Sequence, residues 1–211
     1  DLHYLGFENL LALRGDPAVG IKEFKPEPDG HSYATQLVEQ ITNLNHGKYL
    51  ESLEDAAPTN FCIGAAGYPE KHHEALNIYE DIKHLKEKID KGASYVITQM
   101  VFSIQAFKKF IDLAKFAGIN VPIIPGIKVL TNPRQLIAVA RDFHLNLPEE
   151  LVSAITKAES SSVARQAGID FTIRYCQQLI ELGAPCLHFY TMGKGTAVVE
   201  VLEGLKKQNL I

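Results

Sequence analysis

The stretch FCIGAAGYPEKHHEALNIYEDIKHLKEKIDKGASYVITQ, Phe61–Gln99, decides the fold. Phe61–Ala66 is a short apolar run, and Tyr95–Gln99 is a second, rich in β-branched and aromatic residues. Neither alternates cleanly between polar and apolar positions, which is the pattern of a parallel strand covered on both faces. Between them Ile78, Ile82, Leu85 and Ile89 recur at helical spacing and predict a helix over Asn77–Lys91. Strand, helix and strand make one βαβ unit, so a parallel sheet with right-handed crossovers follows.

The same alternation extends to both ends. Further strands are predicted at Asn9–Leu13, Val121–Pro125 and Cys186–Thr191. In His31–Asn45, residues Ala34, Leu37, Val38, Ile41 and Leu44 make a helical stripe. Gln105–Ala117 ends at Gly118, a C′ glycine. Asn132 and Pro133 read as an N-cap with proline at N1. Pro148 opens another helix, Ser161–Leu182 closes at Gly183, and a last helix follows Gly195. Asp1–Leu5, with Leu2 and Leu5 three apart and then Gly6, reads as the tail of a helix with its C-cap. The chain is therefore expected to begin inside a βα unit. Five strands do not close a barrel that needs about eight. The alternatives are an open sheet or an α/β fold of the (β/α)8 TIM-barrel type. In the second case residues 1–211 are one C-terminal portion of about five βα units, with the first three missing.

Composition narrows the function. The chain has 211 residues, 46% of them hydrophobic and 22% charged, which suits one soluble globular domain. A net charge of −4 gives no basic face for a nucleic acid or an anionic membrane. No run approaches the roughly 18 apolar residues of a membrane span, and no signal-peptide pattern opens the chain. Cys62, Cys176 and Cys186 lack metal-like spacing and read as buried, reduced thiols of a cytoplasmic protein.

In a parallel barrel, functional residues gather at the carboxyl ends of the strands. Those ends carry Arg14-Gly15-Asp16, Tyr68-Pro69-Glu70 with His72, Thr98-Gln99, Pro125-Gly126-Ile127-Lys128 and His188-Phe189-Tyr190-Thr191. The long connection from Asp16 to His31 leaves one of them, where active-site loops sit. The set contains no Ser–His–Asp pattern, metal-ligand spacing or Walker loop. His72 and His73 are adjacent and share no helical face, which disfavours a two-histidine metal site. Asp81, His84 and Lys88 fall within about 60° of one another at 100° per residue. They are either a solvated helix face or a polar row that reaches a ligand over the barrel mouth. Gly193-Lys194-Gly195 before the last helix is either an anion-binding loop or a tight turn.

These strand ends, in this order, resemble the methylenetetrahydrofolate reductase family. The residues that carry the likeness are Ala12–Asp16, Lys25–Pro28, Gly30–Ala34, Ile63–His72, Lys88–Ala93, Ile97–Gln99, Ile123–Ile127 and Leu187–Met192. The resemblance spans nearly the whole chain. It implies a barrel holding FAD over its C-terminal mouth. NADH or NADPH reduces the flavin and leaves, methylenetetrahydrofolate takes the same place, and a hydride from the reduced flavin gives 5-methyltetrahydrofolate. This is an oxidoreductase role in one-carbon metabolism and methionine biosynthesis.

Carried over by motif, Arg14, Gly15 and Asp16 lie along the flavin and pterin, with Asp16 the carboxylate near the pterin. Tyr33 and Ala34 contact the FAD phosphate or ribityl region. Ala66, Tyr68 and His72 line its adenosine and ribityl side. Asp81, His84 and Lys88 match the family's FAD-binding helix. Gln99 hydrogen-bonds the pterin or nicotinamide, Gln135 and Lys194 help to hold folate, and Tyr190 sits close to the flavin. Asp16 and Gln99 are the catalytic pair expected here. His84 stands where some relatives have Asn, Glu87 where some have Arg, Ser103 where Asp is common, and Gly193-Lys194 where many have Asn-Arg. The family's general acid, a glutamate in a Phe-Glu-Phe-like first strand, has no counterpart in this chain. This piece alone is therefore expected not to turn over. Two rivals remain: a non-catalytic folate- or flavin-binding or regulatory module that lacks the acid, and a Schiff-base aldolase using Lys128. The choice between NADH and NADPH is open in the sequence, and so is a homo-oligomer.

Overall fold

The computed structural model describes residues 1–17, 20 and 24–211. Parts of the Asp16–His31 connection, residues 18–19 and 21–23, lie outside the described residues. Five βα units follow one another. They are β1 (Asn9–Ala12) with α1 (Ala34–Asn45), β2 (Cys62–Gly67) with α2 (Ile78–Asp90), and β3 (Tyr95–Met100) with α3 (Ile104–Phe116). Next comes β4 (Ile123–Ile127) with α4 (Pro133–Phe143), α5 (Glu149–Thr156) and α6 (Ser161–Glu181). The last unit is β5 (His188–Phe189) with α7 (Thr196–Lys207).

All neighbouring strands pair in parallel, and their order in the sheet is the order in the chain. Right-handed crossovers that always step to the next strand put every helix on one face. The sheet curls into a half-barrel, as the (β/α)8 expectation requires. The main core lies between sheet and helices around Phe107, Phe110, Leu85, Leu179 and Leu205. A second core forms where α4 and α5 cover the end of β3, joining Met100, Phe102 and Leu130 to Leu136, Val139, Leu151 and Ile155.

Local signals place the elements. Asn77, Ser103, Asn132 and Ser160 each cap a helix with a side-chain oxygen. Helix α1 begins at Ala34 instead of His31, because Gln36 Oε1 accepts from the Ser32 and Tyr33 amides and holds both outside the helix. Asp1–Phe7 is a single helical turn: Leu5 N bonds to Asp1 O, Phe7 N bonds to Leu2 O, and Gly6 is left-handed at φ 82°. Strand β5 is two residues long, shorter than Cys186–Thr191: only His188 and Phe189 pair with β4, opposite Gly126 and Ile127. The expectation of three buried thiols is corrected: Cys176 is buried on the inner side of α6, whereas Cys62, the first residue of β2, and Cys186, two residues before β5, are exposed.

Strand β3 gains one residue on β4. Ile97 pairs with Ile124, but Met100 pairs with Gly126, so Thr98 and Gln99 share the space opposite a single residue. This is a β-bulge, and it lies at the strand end where site residues sit.

Candidate functional site

The carboxyl ends of β1 and β2 and the facing sides of α1 and α2 enclose an open cleft of about 740 Å³. That is within the size range of cofactor sites. Arg14, Gly15 and Asp16 reach it from the loop after β1, and Tyr33 and Ala34 from the start of α1. Ala66, Tyr68 and His72 come from the end of β2, and Asp81, His84 and Lys88 from α2. Four separate segments thus converge on one wall set. The i, i+3, i+7 row on α2 faces this cleft.

Burial organises its charges. Asp81 is 8% exposed and accepts from the His72 amide at 2.9 Å. Burial raises its carboxyl above the ordinary range, with the His72 amide and Lys88 opposing. Lys88 extends its ammonium to the Ala66 carbonyl at 2.6 Å. Burial lowers its pKa to about 8, with Asp81 opposing. At neutral pH Lys88 is a cation that has lost its water, which suits an anionic group in the cleft. Burial also takes His72 down to about 4, so its ring is neutral at pH 7. Its Nδ1 accepts from the Glu74 amide at 3.2 Å, which leaves the proton on Nε2. Tyr68 meets the His72 ring edge-on at 4.7 Å, and burial pushes its hydroxyl up to about 12.

Two ion pairs border the cleft. Arg14 bonds Glu74 at 2.7 Å and lies over the Phe24 ring at 5.2 Å. Lys91 bonds Glu39 at 2.6 Å, tying α2 to α1. Sequence reasoning missed Glu74 and Glu39. Arg14 and Glu74 are 60 residues apart, and no local pattern links them. Glu87 lines the same wall, an acid beside the cations.

The other expected residues lie outside this cleft. Gln99 sits in the β3 bulge, where its Oε1 accepts from the Met100 amide at 2.9 Å, and its Nε2 makes no hydrogen bond among the described residues. Tyr190 follows β5, and its hydroxyl donates to the Thr98 carbonyl at 3.0 Å. Gln135 uses its Oε1 on the Thr131 amide and hydroxyl, at 2.7 and 3.1 Å, and so closes the cap of α4. Lys194 is exposed in the loop after β5. Lys128 donates to the Tyr190 carbonyl at 3.2 Å and so ties β4 to the end of β5. No group of three or more His, Cys, Asp or Glu side chains among the described residues could hold a metal ion. No helix among them is long and apolar enough to cross a membrane.

Fold and cleft define a parallel βα-barrel protein whose strand ends form a cofactor-sized, partly cationic site. The profile of the methylenetetrahydrofolate reductase family matches residues 1–206, and the chain belongs to that family. Methylenetetrahydrofolate reductase 1 of Schizosaccharomyces pombe is 35% identical over 212 residues, covering 99% of this chain and 33% of that protein. Methylenetetrahydrofolate reductase (NADH) 1 of Arabidopsis thaliana is 31% identical over 95% of this chain and 33% of its own length. The chain thus spans about a third of these relatives. A solved structure of a Clostridium thermocellum protein that binds two copies of 5-methyl-5,6,7,8-tetrahydrofolic acid shares the fold. Its TM-score is 0.50 at 18% identity, covering 71% of this chain and 54% of that one.

Proposed function

We propose that this chain is the C-terminal portion of a (β/α)8 flavoprotein that reduces 5,10-methylenetetrahydrofolate to 5-methyltetrahydrofolate with NADH or NADPH, in two half-reactions at one site. One observation carries the reading: four distant segments bring Arg14–Asp16, Tyr33–Ala34, Ala66–His72 and Asp81–Lys88 to a single cleft. The donor set fits FAD. Lys88 supplies a buried cation for a diphosphate, while Tyr33, Tyr68 and the neutral His72 offer polar edges for a ribityl chain. When bound, the flavin would supply hydride transfer between nicotinamide and folate.

The chain's own residues have separable tasks. Asp16, exposed at the cleft mouth, would stabilise positive charge on the folate's one-carbon unit. Gln99 would donate its free Nε2 hydrogens to an acceptor on the pterin or nicotinamide, since its carbonyl is already used. Tyr190 would close the flavin side, and Lys194 would meet a folate carboxylate as a point charge. Gln135 already spends its carbonyl on Thr131, so only its amide hydrogens remain for folate. The proton on folate N10 would come from the first-strand glutamate implied by the family, in the βα units that complete the barrel. The 211 residues alone would therefore be inactive, and a cytoplasmic location suits a folate enzyme.

The test is the visible spectrum of the full-length purified protein. Flavin absorbance that bleaches with NADH or NADPH and recovers with methylenetetrahydrofolate supports the reading. A protein that binds no flavin, or whose reduced flavin ignores folate, refutes it.

A further inference from the structure

The β3 bulge is held by one side chain. In a parallel ladder the Gly126 amide would bond a carbonyl of β3, but the extra residue removes that partner. The Thr98 hydroxyl replaces it: Oγ1 accepts from the Gly126 amide at 2.9 Å and donates to the Gln99 carbonyl at 2.9 Å. Thr98 is 0% exposed, so water cannot substitute. Its carbonyl accepts the Tyr190 hydroxyl at 3.0 Å. Gly126 lets these groups meet, because a Cβ there would run into the Thr98 carbonyl oxygen and lie 2.6 Å from Tyr190 Cε2. One threonine therefore fixes the main chain of Gln99 and the ring of Tyr190 through opposite ends of itself. The Gln99 side chain is in turn tied to Met100, where β3 regains its register with β4.

We infer that Thr98 is a positioning residue for folate binding, setting the Gln99 amide and the Tyr190 ring in a fixed relation across β3, β4 and β5. This rests on the proposed roles of Gln99 and Tyr190. A bulge re-aims the side chain it carries, and a hydroxyl that satisfies both strands keeps that aim constant. Valine keeps the shape of threonine but would leave a buried amide without a partner. Serine keeps the hydroxyl.

The experiment uses the full-length, flavin-loaded protein and measures KM and kcat for methylenetetrahydrofolate. Thr98→Val is expected to raise KM at least tenfold, and Thr98→Ser to stay within about threefold of the parent. A second measurement stands independently of Thr98→Val folding. In a double-mutant cycle, Tyr190→Phe and Gln99→Ala should combine to less than the product of their separate effects on KM, because the Tyr190 hydroxyl acts through Thr98 on the aim of the Gln99 side chain, which Gln99→Ala has already removed. Equal losses for Thr98→Val and Thr98→Ser, KM unchanged in both, or effects of Tyr190→Phe and Gln99→Ala that simply multiply would each overturn the inference. If Gln99→Ala weakens folate binding while the Thr98 variants do not, this inference fails alone. If Gln99→Ala has no effect, the assigned role of Gln99 and this inference fall together.

Discussion

Replacing Lys88 with methionine separates the burden of a buried cation from its use. The Lys88 pKa falls from 10.5 to about 8, mainly through burial. At about 1.4 kcal/mol per pH unit, holding the cation in the folded protein without a ligand costs about 3 kcal/mol below pH 8. The sign follows from proton counts. Between about pH 8 and 10.5 the unfolded chain keeps the proton and the folded chain releases it, so this group makes stability rise with pH. Lys88→Met removes that contribution. It also removes the bond to Ala66 O, worth about 1.5–3 kcal/mol as a charged hydrogen bond, so near neutral pH the relief of the buried charge and the loss of this bond nearly cancel. Urea unfolding of parent and variant from pH 7 to 10 isolates the difference, since the other titrating groups are common to both. The parent should gain about 2–3 kcal/mol on the variant across that range. A bound diphosphate would hold the proton on Lys88, so flavin affinity in the parent should fall as pH rises above about 8. In the variant it should be at least tenfold weaker at pH 7 and insensitive to pH there. Parallel stability curves for the two proteins would refute the assignment of Lys88 as a desolvated cation. Equal flavin affinities would refute its role in the cleft.

Other positions give sharper or smaller effects. Gly126→Ala should destabilise by about 1–3 kcal/mol in urea melts, because its Cβ meets the Thr98 carbonyl and the Tyr190 ring; a change under about 0.5 kcal/mol would sink the close-approach argument. His72→Gln should flatten the acid limb of stability: the parent loses stability as pH falls from 6.5 towards about 4, where the unfolded chain binds the proton first. An unchanged limb in the variant contradicts the buried-imidazole account. Phe107→Ala, at 0% exposure in the main core, should lower unfolding free energy by about 3–5 kcal/mol. Glu39→Gln, in an ion pair whose side chains are 49% and 45% exposed, should change it by less than about 1 kcal/mol. Comparable losses in the two would contradict this division between core and rim.

The strand–helix order, the cap at Asn132 and the inward stripe of α2 were legible because each depends on residues within a few positions. The cleft row Asp81, His84 and Lys88 was visible as geometry, although its purpose needed the family likeness. The Arg14–Glu74 pair and the bond from Asn146 to Glu70, 76 residues apart, were not legible, since which loops meet depends on how the sheet curls. The bulge was hidden for another reason. Thr98 looks like an ordinary strand former, and an extra residue exists only relative to the register of β4. The exposure of Cys62 and Cys186 likewise depends on where strands end, the least certain part of a periodic pattern.

The consecutive strand order also governs assembly. Among the described residues each strand bonds only the strands encoded immediately before and after it, so none of these pairings waits for a distant part of the 211 residues. Structure can then grow by stepwise addition, as in repeat arrays, and the cleft wall, built from β1 to α2, needs nothing from α3 onward to pair its strands. During synthesis this wall would leave the ribosome just ahead of Gln99 and long before Tyr190. A nascent chain stalled after α2 should already protect the β1–β2 amides from exchange, while the strand ends that carry Gln99 and Tyr190 are still unmade.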